Sequence, residues 1–271
     1  MAMQDALGDR MKGYEAVETA RRFDPELPLV ARLDGRAFST FTRGLDKPFD
    51  ARLSQIMRDV TAHLVEQTGA LIGYTQSDEI TLIVARQSAE EEPLFGGRVF
   101  KLTSVLASMA AAKFVLLALP VWPERVARIV PSFDCRAFSA PSRVEAVNAL
   151  VWRELDASRN AMQAVAQSRF APDETHGKSS DELEAMLAAI GVSMADYPQH
   201  CRFGRYLARR RVEVNPSEAD LSRIPEQYRP PGPIVRARVV DLDIAPIAAR
   251  ADRLDLVFGA AAQDVLASAT L

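Results

Sequence analysis

The chain has 271 residues, 48% hydrophobic and 25% charged, with a net charge of −3 at neutral pH. That length supports a full core, as one large domain or a domain with an appendage, and the charge excludes a globally basic nucleic-acid binder, so any RNA surface is expected as a local patch. Two cysteines, Cys135 and Cys201, exclude a disulfide framework and a cysteine zinc site, and point to a reducing compartment, taken as the cytoplasm.

In chain order, Asp5, Asp9 and Glu15 depart from the cationic start of a signal peptide, so no targeting segment is expected. Leu27 to Leu33 reads as a strand entering Asp34-Gly35. Phe49 to Glu66 places Leu53, Ile56, Met57, Val60, Leu64 and Val65 at helical spacing, with Asp50 as a possible cap and Gly69 as the stop. Ala70 to Tyr74 and Ile80 to Ala85 read as a hairpin around the polar Thr75 to Glu79 turn. Phe100 to Leu119 reads as a buried core helix ended by Pro120; Lys113 in its middle argues against a membrane span. Arg128 to Phe138 is the fourth strand.

Strand, helix, strand, strand, helix, strand is the split βαβ order of ferredoxin-like folds. In that topology the first and third strands are central antiparallel neighbours. The end of the first then lies beside the start of the third, which brings Asp34 toward Asp78. Two acids held together suit divalent metal, and such metals handle phosphates. The expectation is an α+β, polymerase- or cyclase-type palm over residues 1–140.

Residues 141–271 are expected to form a mostly helical, arginine-rich appendage packed on that palm. Val144 to Phe170 has a long helical pattern, with a capping box offered by Ser142 and Glu145, and Asp181 to Ile190 is a further helix. Pro198 to Arg211 carries Arg202, Arg205, Arg209, Arg210 and Arg211, a proline-rich loop follows, and Ile234 to Leu242 alternates like a strand. His176-Gly177-Lys178-Ser179 mimics the end of a P-loop, but Pro172 stands where the first glycine belongs. His63, His176 and His200 lack zinc or protease spacing.

The chemistry follows from oxygen donors. Asp34 and Asp78, with the Gly35 carbonyl, are candidate ligands for a pair of magnesium ions, and Glu79 is either a third ligand or an arginine's partner. Amides of Gly35 to Phe41 are candidates to face a triphosphate. Arg36, Arg43, Lys47 and Lys101 are candidate countercharges.

Arg32-Leu33-Asp34-Gly35-Arg36-Ala37-Phe38, Lys47-Pro48-Phe49-Asp50, Gln76-Ser77-Asp78-Glu79, Lys101-Leu102-Thr103-Ser104 and Phe133-Asp134-Cys135-Arg136 together resemble the tRNA-histidine guanylyltransferase family. They stand in the family's order, and Trp152-Arg153 extends the likeness. The resemblance implies 3′-to-5′ nucleotide addition: ATP activates a tRNA 5′-monophosphate, then the 3′-hydroxyl of GTP or another nucleoside triphosphate attacks it. It implies two Mg²⁺ on Asp34, Asp78 and the Gly35 carbonyl, supported by Glu79. Gly35, Arg36, Ala37 and Phe38 would cradle a triphosphate, with Arg32, Lys47, Ser77 and Lys101 aiding activation or positioning. Eukaryotic members carry His-Ile-Asn-Asn where this chain reads Ser158-Arg159-Asn160-Ala161. Asn160 then matches a nucleotide-binding position, and templated repair of truncated 5′ ends is expected rather than dedicated guanylylation. Arg159, Arg169, Lys178, Arg202, Arg205, Arg209 and Arg210 are candidate contacts to the tRNA acceptor end. A homo-oligomer, with a tetramer as the family's habit, is a further implication. The rivals are a nucleotidyl cyclase acting on free nucleotide and a non-catalytic RNA-binding module.

Overall fold

The structure, a computed structural model, describes residues 2–86 and 88–259. In chain order the elements are α1 (Ala2–Thr19), β1 (Leu29–Arg36), the short α2 (Phe38–Phe41), α3 (Ala51–Thr68), β2 (Ile72–Gln76) and β3 (Glu79–Val84). Then come α4 (Val99–Ala118), the short α5 (Pro123–Arg128), β4 (Ser132–Ser139), α6 (Arg143–Gln167), the short α7 (Pro172–Thr175) and α8 (Ser180–Ala189). The short α9 (Gln199–Phe203), β5 (Arg205–Val214), the short α10 (Glu218–Leu221), β6 (Ile234–Asp241) and the short α11 (Arg253–Phe258) complete the order.

Six strands form one sheet in the order β4-β1-β3-β2-β5-β6, every pair antiparallel. The first four strands have the ferredoxin-like palm arrangement, with β1 and β3 side by side at its centre. The arginine-rich stretch is a strand: β5 joins β2 with Tyr206 opposite Tyr74, and β6 joins β5. The second half of the chain therefore extends the sheet as well as supplying helices.

Alternation along β1 divides the core. Leu29, Ala31 and Leu33 point toward α3 and α4, where Val60, Leu64, Leu102, Leu106 and Phe114 are fully buried. Val30 points the other way, toward Val147 and Leu150 of α6, and that face also carries Ile72, Tyr74 and Ile83. Asp34 follows Val30 by four residues and shares its face.

The helix boundaries have local causes. Asp50 caps α3 by accepting from the amides of Arg52 and Leu53, and Gly69 ends it at φ +65°. Ser142 caps α6 by accepting from the Glu145 amide, but the Glu145 side chain bonds Asn148, so only half of the expected capping box forms. Ser179 and Glu182 form a full box on α8, a structural use for the serine of the P-loop-like segment. The apolar α4 is long and hydrophobic enough to cross a membrane by composition, and it buries Leu102, Leu106, Ala110, Phe114 and Ala118 on one side. Its other side is open, with Phe100 and Leu116 facing outward. The helix α1 has no counterpart in the sequence reading, and its weak amphipathic pattern leaves Tyr14 and Val17 exposed.

Candidate active site

The site begins with register. Pairing of β1 with β3 sets Asp34 opposite Glu79, and pairing with β4 sets Asp34 opposite Asp134. The Gly35 amide donates to the Asp78 carbonyl at 3.1 Å, which ties the end of β1 to the β2–β3 turn. That turn is tighter than the sequence suggested, with only Ser77 and Asp78 between the strands. Ser77 adopts φ +52°, the left-handed region that glycine usually fills in such loops. Strain of this kind persists where surrounding structure enforces it, and here the Ser77 hydroxyl donates to Asp78 Oδ1 at 2.9 Å. Gly35 is fixed by close approach: a Cβ there would lie 2.4 Å from the Phe38 ring.

Electrostatics mark the same place. Burial pushes the Asp78 carboxyl above its usual range, and the charge of Asp34 adds to the rise, outweighing the Ser77 hydrogen bond. Burial also raises Glu79, which Arg153 opposes by donating from Nε to Glu79 Oε1 at 2.6 Å. Arg153 reaches on to Asp156 at 2.7 Å, and Arg159 holds the other Asp156 oxygen at 2.7 Å. An alternating row of charges thus runs from the sheet along one face of α6.

A cavity of about 550 Å³ opens beside the acids. Asp34, Ser77, Asp78 and Glu79 line one wall, the Lys47–Pro48–Phe49–Asp50 segment another, and Arg153 and Asn160 of α6 a third. His200, Cys201 and Arg205 close the far side. The size lies in the range of small-molecule sites.

The remaining expected residues fall elsewhere. Arg32, Gly35, Arg36, Ala37, Phe38 and Lys101 are not among the lining residues. The Phe38 side chain is a core residue packed on Phe41, Phe114 and Phe133, and the left-handed Ala37 turns the chain into α2. Lys101 lies over the Phe95 ring on the first turn of α4. Asp50 lines the cavity, yet it is engaged by Arg52 as well as by backbone amides. Of the expected RNA contacts, Arg205 pairs with Asp241, Arg209 with Glu66, and Arg210 with the Leu256 and Arg209 carbonyls. Lys178 pairs with Glu182, and Arg202 lies over the Phe203 ring. Arg169 is exposed on the turn after α6. Arg153, His200 and Cys201 were not foreseen in the site. The Trp-Arg pair was the only sequence signal for Arg153, and no spacing pointed to the other two.

Among the described residues, no group of three or more His, Cys, Asp and Glu side chains is arranged to hold a metal ion. Asp34 and Asp78 still fit magnesium, which is commonly held by one or two carboxylates together with substrate phosphates. The Asp78 carboxyl is raised chiefly by burial, and the nearby Asp34 charge adds to the rise.

Residues 8–141 match the family described as Thg1: tRNAHis guanylyltransferase. Over that span, just under half of its length, the chain is similar to this family. An uncharacterized protein of Acanthamoeba polyphaga mimivirus is 34% identical over 191 residues, spanning 63% of this chain and 65% of that protein. The chain thus covers just under two thirds of that relative's length. A bacterial Thg1-like protein in complex with ATP shares the fold at TM-score 0.77 and 24% identity, covering 93% of this chain and 99% of the other. A bacterial Thg1-like protein in complex with GTP aligns at TM-score 0.71 and 25% identity, with the same two coverages.

Proposed function

We propose that this chain is a magnesium-dependent 3′-to-5′ nucleotidyltransferase that lengthens the 5′ end of tRNA in the cytoplasm. It extends truncated ends against the opposite strand, after ATP has activated a 5′-monophosphate. The observation that carries this reading is the meeting of Asp34 and Asp78 at the wall of a nucleotide-sized cavity, on the strands where a palm keeps its metal ligands. Asp34 and Asp78 would hold Mg²⁺ there, which would supply charge neutralisation to phosphate oxygens during an in-line displacement. Asp34, Asp78 and the Gly35 carbonyl supply the hard oxygen donors. Lys47, across the cavity from the acids, pairs with phosphate, and Asn160 offers an amide to the nucleotide. Glu79 acts through Arg153, fixing α6 against the sheet so that Asn160 stays at the cavity wall. The ATP and GTP complexes of the bacterial relatives support nucleoside triphosphates as substrates.

Assembly belongs to the same proposal. Outward-facing Tyr14 and Val17 of α1, and Phe100 and Leu116 of α4, support burial against further copies of the chain. Sedimentation is expected to give an oligomer.

The test uses purified protein, Mg²⁺, ATP, labelled nucleoside triphosphates and a tRNA lacking its first 5′ nucleotide. Templated lengthening at the 5′ end is the expected result. Cyclic nucleotide formed without RNA would replace this reading with a cyclase, and tight RNA binding without turnover would replace it with a binding module.

A further inference from the structure

A second surface adjoins the carboxylates on the side away from the nucleotide cavity. On the edge strand β4, Asp134, Arg136 and Phe138 stand opposite Asp34, Arg32 and Val30 of β1, all on the face that carries α6. Helix α6 covers β1 at Val30 but leaves β4 open: Phe138 is 42% exposed and Trp152, projecting from α6, is 51% exposed. The Arg32 guanidinium lies 5.2 Å from the Trp152 ring centroid, and that of Arg153 lies 4.5 Å away. None of Arg32, Arg136, Phe138 and Trp152 lines the cavity.

Two features of this surface are unfavourable in the free protein. Arg32 and Arg136 are direct cross-strand partners, and like charges so placed repel. The nearest acid to Arg136 is Asp134, at 3.5 Å across an exposed pair. The second feature is a large aromatic ring left half open, on a helix that leaves Val144 and Leu155 similarly exposed. A ligand carrying both an anion and a flat apolar ring relieves both. Spacing narrows the choice further. Arg32 sits two residues before Asp34, roughly 7 Å along the strand, and Phe138 lies a similar step beyond Arg136. A polymer with a phosphate and a base at each step matches this sequence of catalytic acid, cationic pair and aromatic ring. In a duplex the base faces are stacked on one another, so only an unpaired strand can lay a base on Trp152.

We infer that Arg32, Arg136, Trp152 and Phe138 form a platform for an unpaired RNA strand, with the arginines on its phosphate and a base stacked on Trp152. On the reading above, the occupant is the 3′ strand running past the recessed 5′ end, so this inference rests on that reading. Trp152 is a positioning residue, because it holds the RNA and touches neither the nucleotide nor the reacting atoms.

The test compares two short RNA duplexes with a 5′-monophosphate, one blunt and one with a single-stranded 3′ overhang. Their Kd values are measured by fluorescence anisotropy with the full chain. Wild type is expected to prefer the overhang. Trp152→Ala should weaken binding of the overhang RNA roughly 5- to 150-fold, the range for one base stacked on an aromatic ring. Blunt-duplex affinity, ATP affinity and melting temperature should be unchanged, and Trp152→Phe should restore most of the loss. Equal weakening of both RNAs, no weakening, no overhang preference in wild type, or a change of sedimentation in Trp152→Ala would each overturn the platform. Wild type that extends 5′ ends while Trp152→Ala binds the overhang normally would sink this inference alone. Wild type that grips the overhang through Trp152 but adds no nucleotide would sink only the transferase reading.

Discussion

Glu154 and Asp78 are carboxylates on opposite sides of α6's footprint, and the molecule treats them differently. Glu154 is 1% exposed, and three donors converge on it: the Tyr206 hydroxyl at 2.9 Å and the Ile247 and Ala248 amides at 2.8 and 2.9 Å. Burial and the Glu154 charge push the Tyr206 hydroxyl far above its usual range, so it stays a proton donor to that carboxylate. Asp78 receives one side-chain bond, from Ser77, and has Asp34 for its electrostatic neighbour. The first acid fastens the C-terminal segment to α6 and β5. The second is held in a state that burial and a like charge both oppose, and it is the one beside the cavity. A satisfied buried acid serves the fold, whereas an acid left in repulsion is where binding energy for a cation can be stored.

Asp78→Asn tests the contrast at its largest. Nucleotidyl transfer should fall by about three orders of magnitude or more, the scale of several kcal/mol of lost charge stabilisation. Stability should move the other way. Because the folded carboxyl is raised, its protonated form is favoured in the fold, and the associated stability is present in acid and lost as pH rises through the folded value. The variant should therefore melt like wild type in acid and above it at neutral pH. Calorimetry across pH checks this, and a variant that melts lower throughout would make Asp78 another structural acid.

Glu154→Ala is the converse. It leaves a buried hydroxyl and two buried amides without their acceptor, at about 1–3 kcal/mol each when no water reaches them. A total near 3 kcal/mol corresponds to a melting temperature lower by roughly 6–12 °C in a chain of this size class. The folded fraction should keep its specific activity.

How much of this was legible follows the same division. Asp34 and Asp78 were readable because strand order alone makes β1 and β3 neighbours, and Gly35 and the turn residues lie within those short segments. The caps at Asp50 and Gly69 were readable because they depend on adjacent residues. Glu154 was invisible, since its partners sit 52 to 94 residues away and an acid in a long helix reads as solvated. The partners of the β5 arginines were hidden for a related reason. The cluster is visible in the sequence, but only the fold brings Asp241 to Arg205 and Glu66 to Arg209. The core role of the Phe38 side chain was not legible, because its partners Phe114 and Phe133 lie far along the chain.

Glu79 stands between the extremes, with one guanidinium and a raised carboxyl. Arg153→Met removes that partner, at a cost of about 2 kcal/mol, within the range for a hydrogen bond to a charged group. Without Arg153, Glu79 no longer anchors α6, so nucleotide affinity should weaken as Asn160 leaves the cavity wall. Unchanged nucleotide affinity together with the stability loss would confine the Glu79–Arg153 pair to holding the fold.

Asp50 gives the smallest effect and the cleanest sign. Burial pushes its carboxyl up, but the Arg52 guanidinium and the amides of Leu53, Asp46 and Arg52 outweigh it and hold the group below its usual value. A lowered folded pKa means the stabilisation is present above the unfolded value and lost as pH falls through the folded one. Asp50→Ala should cost about 1–2 kcal/mol at neutral pH, the usual range for a lost N-cap. Urea unfolding should show the gap from wild type closing in acid. Asp50→Asn keeps a capping oxygen without a titrating charge, so it should retain most of the cap and lose the pH dependence. If the alanine variant stayed equally far below wild type in acid, the carboxylate's charge would have no part in holding α3. Asp50 would then act through shape alone, and the contrast between satisfied and repelled acids would rest on Glu154.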